Sequence, residues 1–567
     1  MNGQRAGGVS DMAVLLAIGS AVAIAASLWL WGGIAGAVFG GGWPHVEMDQ
    51  LLGVLVRLPG HLGDPARAWP DSIRSRLPGP EGFYAALGLL CSICGAVALA
   101  VSRAGLVVAG QRRSAGARWA RPRDLRSLRL RTGGRGSRGA RRLALGRRGS
   151  RLLHAEQRHA VVAFGPPQSG KSAGLAVPAL LEWDGPAVAS SIKADLLAAT
   201  ARRRRSLGSV FVFDPFELAG TDSHTWSPLR AAGTWDGALE VAWRLASAGE
   251  LDQRSVEGGD FWAIAAEQRL APLLYTASAT GAQIDSVVRW AYGQGARDLD
   301  QALAQLAGGA RDDAELADAH AAYDAVRAFE AQADRTRSSI EATAQALLRA
   351  YRFSRVAWSA RSCEITADRL LDESATLYLI GDAKASKLLR PIFLALLSEV
   401  VDRAYERATL AGGRLELPLL LCLDEAGNLA PLPNLAEIAS TAPSHNIQLV
   451  SIFHDLAQAR SRYRQQAETV VNSHRARMLL PGVADLETLR YFAGLVGEEE
   501  ARDRSITTGA GGTSRSTANR RRPLVAPEAL RQLPDGHALL LYGRIPPTEL
   551  RLRMWFDDRR LRRLARA

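Results

Sequence analysis

Two short stretches of this chain carry residues whose types and spacing could do chemistry on phosphate groups. The first reads Gly-Pro-Pro-Gln-Ser-Gly-Lys-Ser from Gly165 to Ser172. Glycines at both ends of such a loop let backbone N–H groups turn inward around phosphate oxygens. The lysine, Lys171, would reach the β- and γ-phosphates, and the hydroxyl of Ser172 would be a ligand of Mg²⁺. The stretch predicts a nucleotide-binding loop made of Gly165, Pro166, Pro167, Gln168, Ser169, Gly170, Lys171 and Ser172.

A Gly-rich surface loop is the alternative interpretation, and the cation composition argues against it. The chain has four lysines, Lys171, Lys193, Lys384 and Lys387, among 70 lysines and arginines. Where arginine is the usual cation, a lysine in this slot indicates that a compact ammonium is needed there. We therefore interpret the stretch as a P-loop whose cofactors are ATP and Mg²⁺.

The second stretch places two carboxylates directly after an apolar run, residues 417–423. Asp424 would hold the magnesium ion together with Ser172, and Glu425 would accept a proton from the attacking water. Two acids at a helix N-terminus are the alternative, since the helix dipole favours negative charge there. Next to a P-loop, the pattern favours a Walker B strand. Lys171, Asp424 and Glu425 are then the predicted catalytic residues.

A histidine follows the next apolar run, residues 447–453. If that run is the strand beside the Walker B strand, His454 would lie near the γ-phosphate and could act as its sensor. A histidine that merely begins the following helix is an equally good interpretation of the sequence alone.

The elements that must position these side chains are strands separated by helices. An apolar run precedes the P-loop and an apolar segment of helical character follows it, which is the strand, loop and helix that a P-loop requires. Such alternation predicts an α/β fold with a parallel sheet and with ligands at the carboxyl ends of its strands. Asp195 and Asp214 close two of these strands, so both could face the site; equally, Asp195 could cap a helix and Asp214 could begin a turn. The predicted strands are residues 161–164, 186–192, 210–213, 376–380, 417–423 and 447–453.

Strand signals disappear between residues 230 and 352, where Ala, Leu, Glu, Gln and Arg dominate at helical spacing. We expect an inserted all-α domain there. Towards the end of the chain, residues 505–522 are rich in Gly, Ser and Thr and predict a mobile loop. Strands are expected again near residues 538–542 and 550–556, followed by a basic tail.

The amino-terminal region carries two long apolar runs, residues 12–40 and 83–101. Both are long enough to cross a bilayer, which predicts a two-helix transmembrane hairpin. Sixteen arginines and a single acid, Asp124, lie between Arg103 and Arg151 and account for the net charge of +13. The positive-inside rule then places the amino terminus and the rest of the chain in the cytoplasm, and residues 41–81 outside.

The Arg-rich segment itself leaves three interpretations open. Contact with anionic membrane lipids and contact with DNA phosphates are both compatible with its charge, and a solvated linker is the third possibility. The remaining chain is near neutral, so its overall charge does not establish nucleic-acid binding.

Taken together, these features resemble the type IV coupling proteins of bacterial conjugation, the TraG/TraD-like ATPases. The resemblance rests on the two apolar runs, the P-loop phrase FGPPQSGKS, SIKADL at Ser191, FVFDP at Phe211, WSPL at Trp226, DFW at Asp260, TRSSI at Thr336, LCLDEAGNL at Leu421 and VVN at Val470. It implies a RecA-like motor with an inserted all-α domain, anchored in the inner membrane as a two-pass protein. It also implies a homo-hexamer that passes DNA, expected to be single-stranded, and its bound relaxase to a type IV secretion channel.

On this basis the expected divisions follow the chain in order. They are the transmembrane hairpin at residues 1–110, the Arg-rich juxtamembrane segment at 111–158, the first motor part at 159–229, the all-α domain at 230–352, the second motor part at 353–556 and the basic tail at 557–567.

The sequence departs from the family pattern in two places. Family members usually carry a Gly-Arg phrase before the strand that follows Walker B, where this chain has Ala-Pro-Ser-His-Asn at residues 442–446, and a glutamine where His454 stands. The arginine that would reach a neighbour's nucleotide is therefore unassigned, with Arg460, Arg475 and Arg477 as candidates. Two alternative functions stay open: an ATP-binding receptor or docking platform with little turnover, and a protein-exporting ATPase that handles no DNA.

Overall fold

The computed structural model describes residues 7–112, 116–130, 142–253, 259–429, 431–509 and 512–567. Contacts divide the chain into two compact units, Met1–Ala115 and Gly116–Ala567. Each unit has a hydrophobic core of its own.

The first unit is helical, and its core is built around aromatic residues. Phe83 is fully buried and packs edge-to-face on Trp31, whose indole N–H donates to the Phe83 carbonyl at 2.8 Å. At Gly32 a side chain would collide with the ring of Trp69, since a Cβ would lie 2.0 Å from it. The small residue therefore permits close packing inside this unit. Its helices are α1 (Gly7–Phe39), α2 (Met48–Arg57), α3 (Asp71–Arg74) and α4 (Pro80–Arg112).

The predicted membrane hairpin is supported in part by the residues that the structure describes. Among the described residues, one helical stretch, Pro80–Leu99, is long and apolar enough to cross a bilayer. Within α1, the apolar stretch whose side chains the structure describes is Ala23–Phe39, which is shorter. The two-pass arrangement therefore stays a prediction.

The second unit is built on a mixed sheet of eleven strands in the order β2-β1-β13-β12-β9-β3-β8-β7-β4-β6-β5. The seven strands from β9 to β5 are parallel, and the four at the other edge pair antiparallel. A separate antiparallel pair is formed by β10 and β11. The strands are β1 (Ala144–Arg148), β2 (Arg151–His154), β3 (Val161–Phe164), β4 (Ala187–Ser191), β5 (Val210–Phe213), β6 (Thr376–Ile380), β7 (Leu419–Leu423), β8 (Ile447–Phe453), β9 (Ala476–Leu479), β10 (Glu498–Gly509), β11 (Gly512–Pro523), β12 (His537–Tyr542) and β13 (Ile545–Arg551).

Helices cover both faces of this sheet, which explains why the central strands have no polar face. In β3, Val162 and Phe164 belong to one core and Val161 and Ala163 to the other, as the alternation of side chains along a strand requires. Between β5 and β6 the described residues form helices and no strand. The helices of this unit are α5 (Val177–Glu182), α6 (Asp195–Arg205), α7 (Trp235–Gln253), α8 (Gly259–Ala279), α9 (Ile284–Ala291), α10 (Ala296–Gly309), α11 (Asp313–Glu330), α12 (Asp334–Leu348), α13 (Ser354–Trp358), α14 (Ala367–Asp372), α15 (Ala383–Leu410), α16 (Leu435–Thr441), α17 (Leu456–Tyr463), α18 (Ala467–Ser473), α19 (Leu486–Val496), α20 (Pro527–Arg531) and α21 (Arg559–Arg566).

Two sequence-based predictions near the carboxyl terminus are wrong. Residues 505–509 and 512–522 form strands rather than a loop and belong to the hairpin β10–β11, in which Glu499 and Glu500 lie opposite Arg522 and Arg521. The sequence did not reveal this hairpin because it lacks the alternation of apolar residues by which strands are recognised. Pairs of opposite charge across the two strands stabilise its base instead. The strand expected at 550–556 ends at Arg551, because the chain there turns towards the P-loop.

The solvated-linker interpretation is wrong for residues 144–154 of the Arg-rich segment. They form β1 and β2, which join the large sheet through β13. Arg148 donates to the hydroxyl of Thr548 at 2.8 Å, so part of this positive charge holds the sheet edge together. Residues 131–141 lie outside the described part of the chain.

Candidate nucleotide-binding site

The P-loop lies between β3 and the helical segment that leads into α5. Gly165 N–H donates to the Phe453 carbonyl at 3.0 Å, which joins the start of the loop to the end of β8. A Cβ at Gly165 would lie 2.4 Å from the hydroxyl of Ser169, so this glycine is needed for space. Gly170 and Gln168 have φ of +86° and +67°, so the loop turns through left-handed conformations at both. The helix then begins with a π-helical turn, Ser172–Ala176, and continues directly as α5, whose second residue is Pro178.

The carboxylates predicted from the Walker B pattern lie against this loop. Ser172 Oγ donates to Asp424 Oδ2 at 2.6 Å, and Lys171 Nζ lies 3.9 Å from Glu425 Oε1. The parallel register explains this, because Ser190 of β4 and Ser451 of β8 both pair with Leu423 of β7, and Val161–Phe164 pairs with the last residues of β8. The loops that follow β3, β7 and β8 thus meet at one edge of the sheet.

Glu425 is held on three sides by polar side chains. His454 Nε2 lies 3.1 Å from Glu425 Oε2, Asn428 donates to the same oxygen at 3.1 Å, and Lys171 approaches the other oxygen. His454 therefore lies in the site rather than merely beginning a helix, whose N-cap is Asp455. This contact orients the carboxylate that the sequence predicts as the proton acceptor.

Asp424 is almost completely buried, and burial raises its pKa to about 7. The nearby charge of Glu425 acts in the same direction, while the hydrogen bond from Ser172 and the charge of Lys171 oppose it. Its second oxygen, Oδ1, is buried and makes no hydrogen bond among the described residues. A buried carboxylate oxygen without a partner, beside a serine hydroxyl, is a donor set that fits Mg²⁺, a cation that prefers oxygen ligands.

These residues open onto a cavity of about 660 Å³, large enough for a nucleotide. Of the predicted P-loop residues, those from Pro167 to Ser172 line it, whereas Gly165 and Pro166 do not. Its other lining residues include Asp195, whose role the sequence left open, and several residues that the sequence analysis did not identify. The missed residues are Ser191, Ile192, Lys193, Asp535, Gly536, Met554, Trp555 and Phe556.

Lys193 could have been found, because lysine is rare in this chain and Lys193 closely follows a predicted strand. No local pattern marks residues 554–556, which reach the cavity through the course of the chain after β13. Two other acids at strand ends do not line the cavity. Asp214 accepts from Ala219 N at 2.8 Å within a turn, and Asp382 caps α15.

None of the three candidate arginines lines the cavity. Arg460 pairs with Glu468 and Glu487, and Arg477 donates to backbone carbonyls at the end of α18. Among the described residues, the only cations that line the cavity are lysines and, when it is protonated, His454. An arginine that reaches the nucleotide is thus absent from the described lining.

Residues 118–566 match the protein family described as "Type IV secretory system Conjugative DNA transfer". The chain belongs to this family. It is 25% identical over 412 residues to the conjugal transfer protein TraG of Escherichia coli, a match that covers 68% of this chain and 63% of TraG. It is 24% identical over 443 residues to the protein VirD4 of Rhizobium rhizogenes, covering 73% of this chain and 61% of VirD4. The chain thus spans less than two thirds of the length of these relatives.

Solved structures of the plasmid coupling protein TrwB share the fold. The complex of TrwB with ADP and Mg²⁺ aligns with a TM-score of 0.57 at 16% identity, covering 77% of this chain and 94% of TrwB. The complex with the non-hydrolysable ATP analogue ADPNP aligns with a TM-score of 0.52 at 17% identity, covering 70% and 86%. The predicted α/β class with its large parallel sheet is confirmed.

Proposed function

We propose that this protein is an ATP-hydrolysing coupling protein that recruits DNA, with a bound relaxase, and moves it to a type IV secretion channel. Membership of the conjugative DNA-transfer family supports the process. The ATPase assignment rests on the 2.6 Å hydrogen bond between Ser172 and Asp424, because this bond joins the P-loop hydroxyl to the Walker B carboxylate. The similarity to the conjugal transfer protein TraG supports the transfer process, and the TrwB complexes with ADP and ADPNP support nucleotide binding.

Each side chain has a role that follows from its place in the site. Backbone N–H groups of the loop and the ammonium of Lys171 would bind the phosphates, and Ser172 and Asp424 would hold the metal ion. The magnesium ion supplies positive charge that offsets the charge of the phosphate oxygens. Glu425 would orient the attacking water and accept its proton, with His454 and Asn428 fixing the direction of the carboxylate.

We further propose that the protein is a two-pass protein of the inner membrane, with its amino terminus and motor in the cytoplasm. The apolar stretches 23–39 and 80–99 and the arginines that follow them support this topology. Exposed arginines of the 116–130 segment would contact anionic lipid headgroups.

The assembly that fits the site best is a homo-hexameric ring. The described lining of the cavity contains no arginine, although an arginine that stabilises transition-state charge increases phosphoryl-transfer rates by about 10³–10⁵-fold in related reactions. A neighbouring copy in a ring would supply it, which would make turnover depend on assembly.

The decisive test compares DNA transfer by cells that carry Lys171→Ala or Glu425→Gln. Both variants should stay in the membrane and reduce transfer to background, because one loses phosphate binding and the other the proton acceptor. Lys387→Ala is the matched control, since Lys387 lies on the exposed face of α15 outside the cavity. Wild-type transfer in Lys171→Ala would contradict the motor role.

A second candidate function, an ATP-binding docking platform with little turnover, would follow if no neighbouring copy supplied the arginine that is absent from the described cavity lining. Steady-state hydrolysis by the purified protein, with and without single-stranded DNA, distinguishes the candidates. DNA-stimulated turnover supports the motor, and nucleotide binding without turnover supports the platform. A rate of ATP hydrolysis that DNA does not change would instead indicate an ATPase that exports protein without DNA.

A further inference from the structure

Residues 554–556, which follow β13, line the cavity although they lie far from the P-loop in the sequence. Met554 and Trp555 are half-buried there, and Phe556 is 50% exposed. We propose that Trp555 and Phe556 form the subsite for the base of the nucleotide, with Phe556 stacking on a purine ring. This inference rests on the proposed binding of ATP in the same cavity.

The segment is fixed in place rather than lying loosely over the site. The backbone N–H of Trp555 donates to the backbone carbonyl of Ala173, one residue after the P-loop, at 3.1 Å. The neighbouring Arg553 is buried and donates to Glu182 of α5 at 2.8 Å and to Asp558 at 3.0 Å. The bonds to Ala173 and Glu182 both join this segment to the helix that follows the P-loop. They would therefore hold Trp555 and Phe556 at a fixed distance from bound phosphates.

The polarity of the site places the base at this end. Lys171, Glu425 and His454 mark the γ-phosphate end, since the P-loop lysine reaches the β- and γ-phosphates. Backbone N–H groups at the start of the following helix cradle the α-phosphate, and there Ala173 is bonded to Trp555. The nucleoside would continue from the α-phosphate away from Glu425. Residues 554–556 line the cavity, and Trp555 among them is bonded to Ala173 at the α-phosphate end.

The chemistry of the pair suits a base. The Trp555 and Phe556 rings meet edge-to-face, with centroids 6.1 Å apart and planes at 76°, so the tryptophan supports the exposed phenyl ring. An exposed aromatic face binds a base by stacking, which tolerates different bases and favours the larger π-surface of a purine. Without a bound base, the phenyl ring of Phe556 would be an apolar surface half open to water.

The test measures binding of Mg²⁺-ATP and of Mg²⁺-tripolyphosphate to the full-length protein by calorimetry. Phe556→Ala should weaken ATP binding by about 5- to 150-fold, the range that corresponds to the loss of one base–aromatic stack. Tripolyphosphate has no base, so its affinity should not change. Phe556→Tyr should restore ATP binding, because tyrosine presents the same stacking face.

Trp358→Ala is the control variant, since Trp358 is 55% exposed and does not line this cavity. Equal losses for ATP and tripolyphosphate in Phe556→Ala would overturn the inference and assign Phe556 a role in folding the site. Unchanged ATP affinity together with an altered oligomeric state would also overturn it and place Phe556 at a contact between copies. Failure of Lys171→Ala to weaken either ligand would instead contradict the proposed function, so the two failures are distinguishable.

Discussion

At the scale of single residues, the two glycines of the P-loop are required for different reasons. Gly165 is required because a side chain there would overlap Ser169, whereas Gly170 is required mainly because its φ is +86°. A Cβ at Gly170 would also lie 2.5 Å from the terminal methyl of Met554. The same residue therefore sets the direction of the loop N–H groups and its fit against the carboxyl-terminal segment.

We expect Gly170→Ala to weaken nucleotide binding by at least ~10-fold, because the loop must change its φ or displace Met554. Gly281→Ala is the control, since Gly281 has φ +70° and open space around it. Both substitutions should lower stability by about 1 kcal/mol through backbone strain. Binding measured by calorimetry and unfolding measured by urea denaturation separate the effects. Equal nucleotide affinity in the two variants would contradict the proposed role of Gly170.

At the scale of elements, a buried histidine connects α18 to the strands beneath the site. His474 is fully buried between α18 and β9, with Nδ1 donating to the Val470 carbonyl at 2.7 Å and Nε2 accepting from Ser451 of β8 at 3.0 Å. Burial lowers its pKa from 6.5 to about 4, and the charge of Arg477 acts in the same direction. The folded state therefore binds this proton less well than the unfolded state.

Neutral His474 should stabilise the folded state fully above pH 6.5. As the pH falls from 6.5 towards 4, the free energy of unfolding should decrease by about 3 kcal/mol. The reason is that protonation charges a buried ring and removes the acceptor of the Ser451 hydroxyl. Urea denaturation of wild type and His474→Gln across this range provides the measurement. The wild-type free energy of unfolding should fall more steeply with decreasing pH than that of His474→Gln. Parallel slopes would contradict the assignment.

At the scale of the whole molecule, the division into Met1–Ala115 and Gly116–Ala567 separates the unit that we propose as the membrane anchor from the unit that we propose binds nucleotide. The core around Trp69 and Phe83 shares no residue with the two cores that flank the large sheet. Each side chain proposed to bind nucleotide lies in the second unit.

A chain that begins at Gly116 should therefore fold and bind Mg²⁺-ATP with wild-type affinity, while becoming extractable from membranes by an alkaline wash. Fractionation of cells after an alkaline wash measures the second property, and calorimetry the first. Recovery of the truncated chain in the membrane fraction would show that another part of the protein provides the anchor. Loss of nucleotide binding by a folded fragment would show that the site depends on the first unit.

The sequence by itself determined the residues of the phosphate end of the site and the class of the fold. These signals are local: the loop from Gly165 to Ser172 needs particular residue types at fixed spacing, and a buried parallel strand needs an uninterrupted apolar run. The tertiary structure alone decided which distant residues complete the site. Strand order decided between the two interpretations of His454 by bringing it to Glu425, and the course of the chain after β13 brings Trp555 and Phe556 to the same cavity. Such contacts depend on packing across the whole sheet, so no local pattern of residues encodes them.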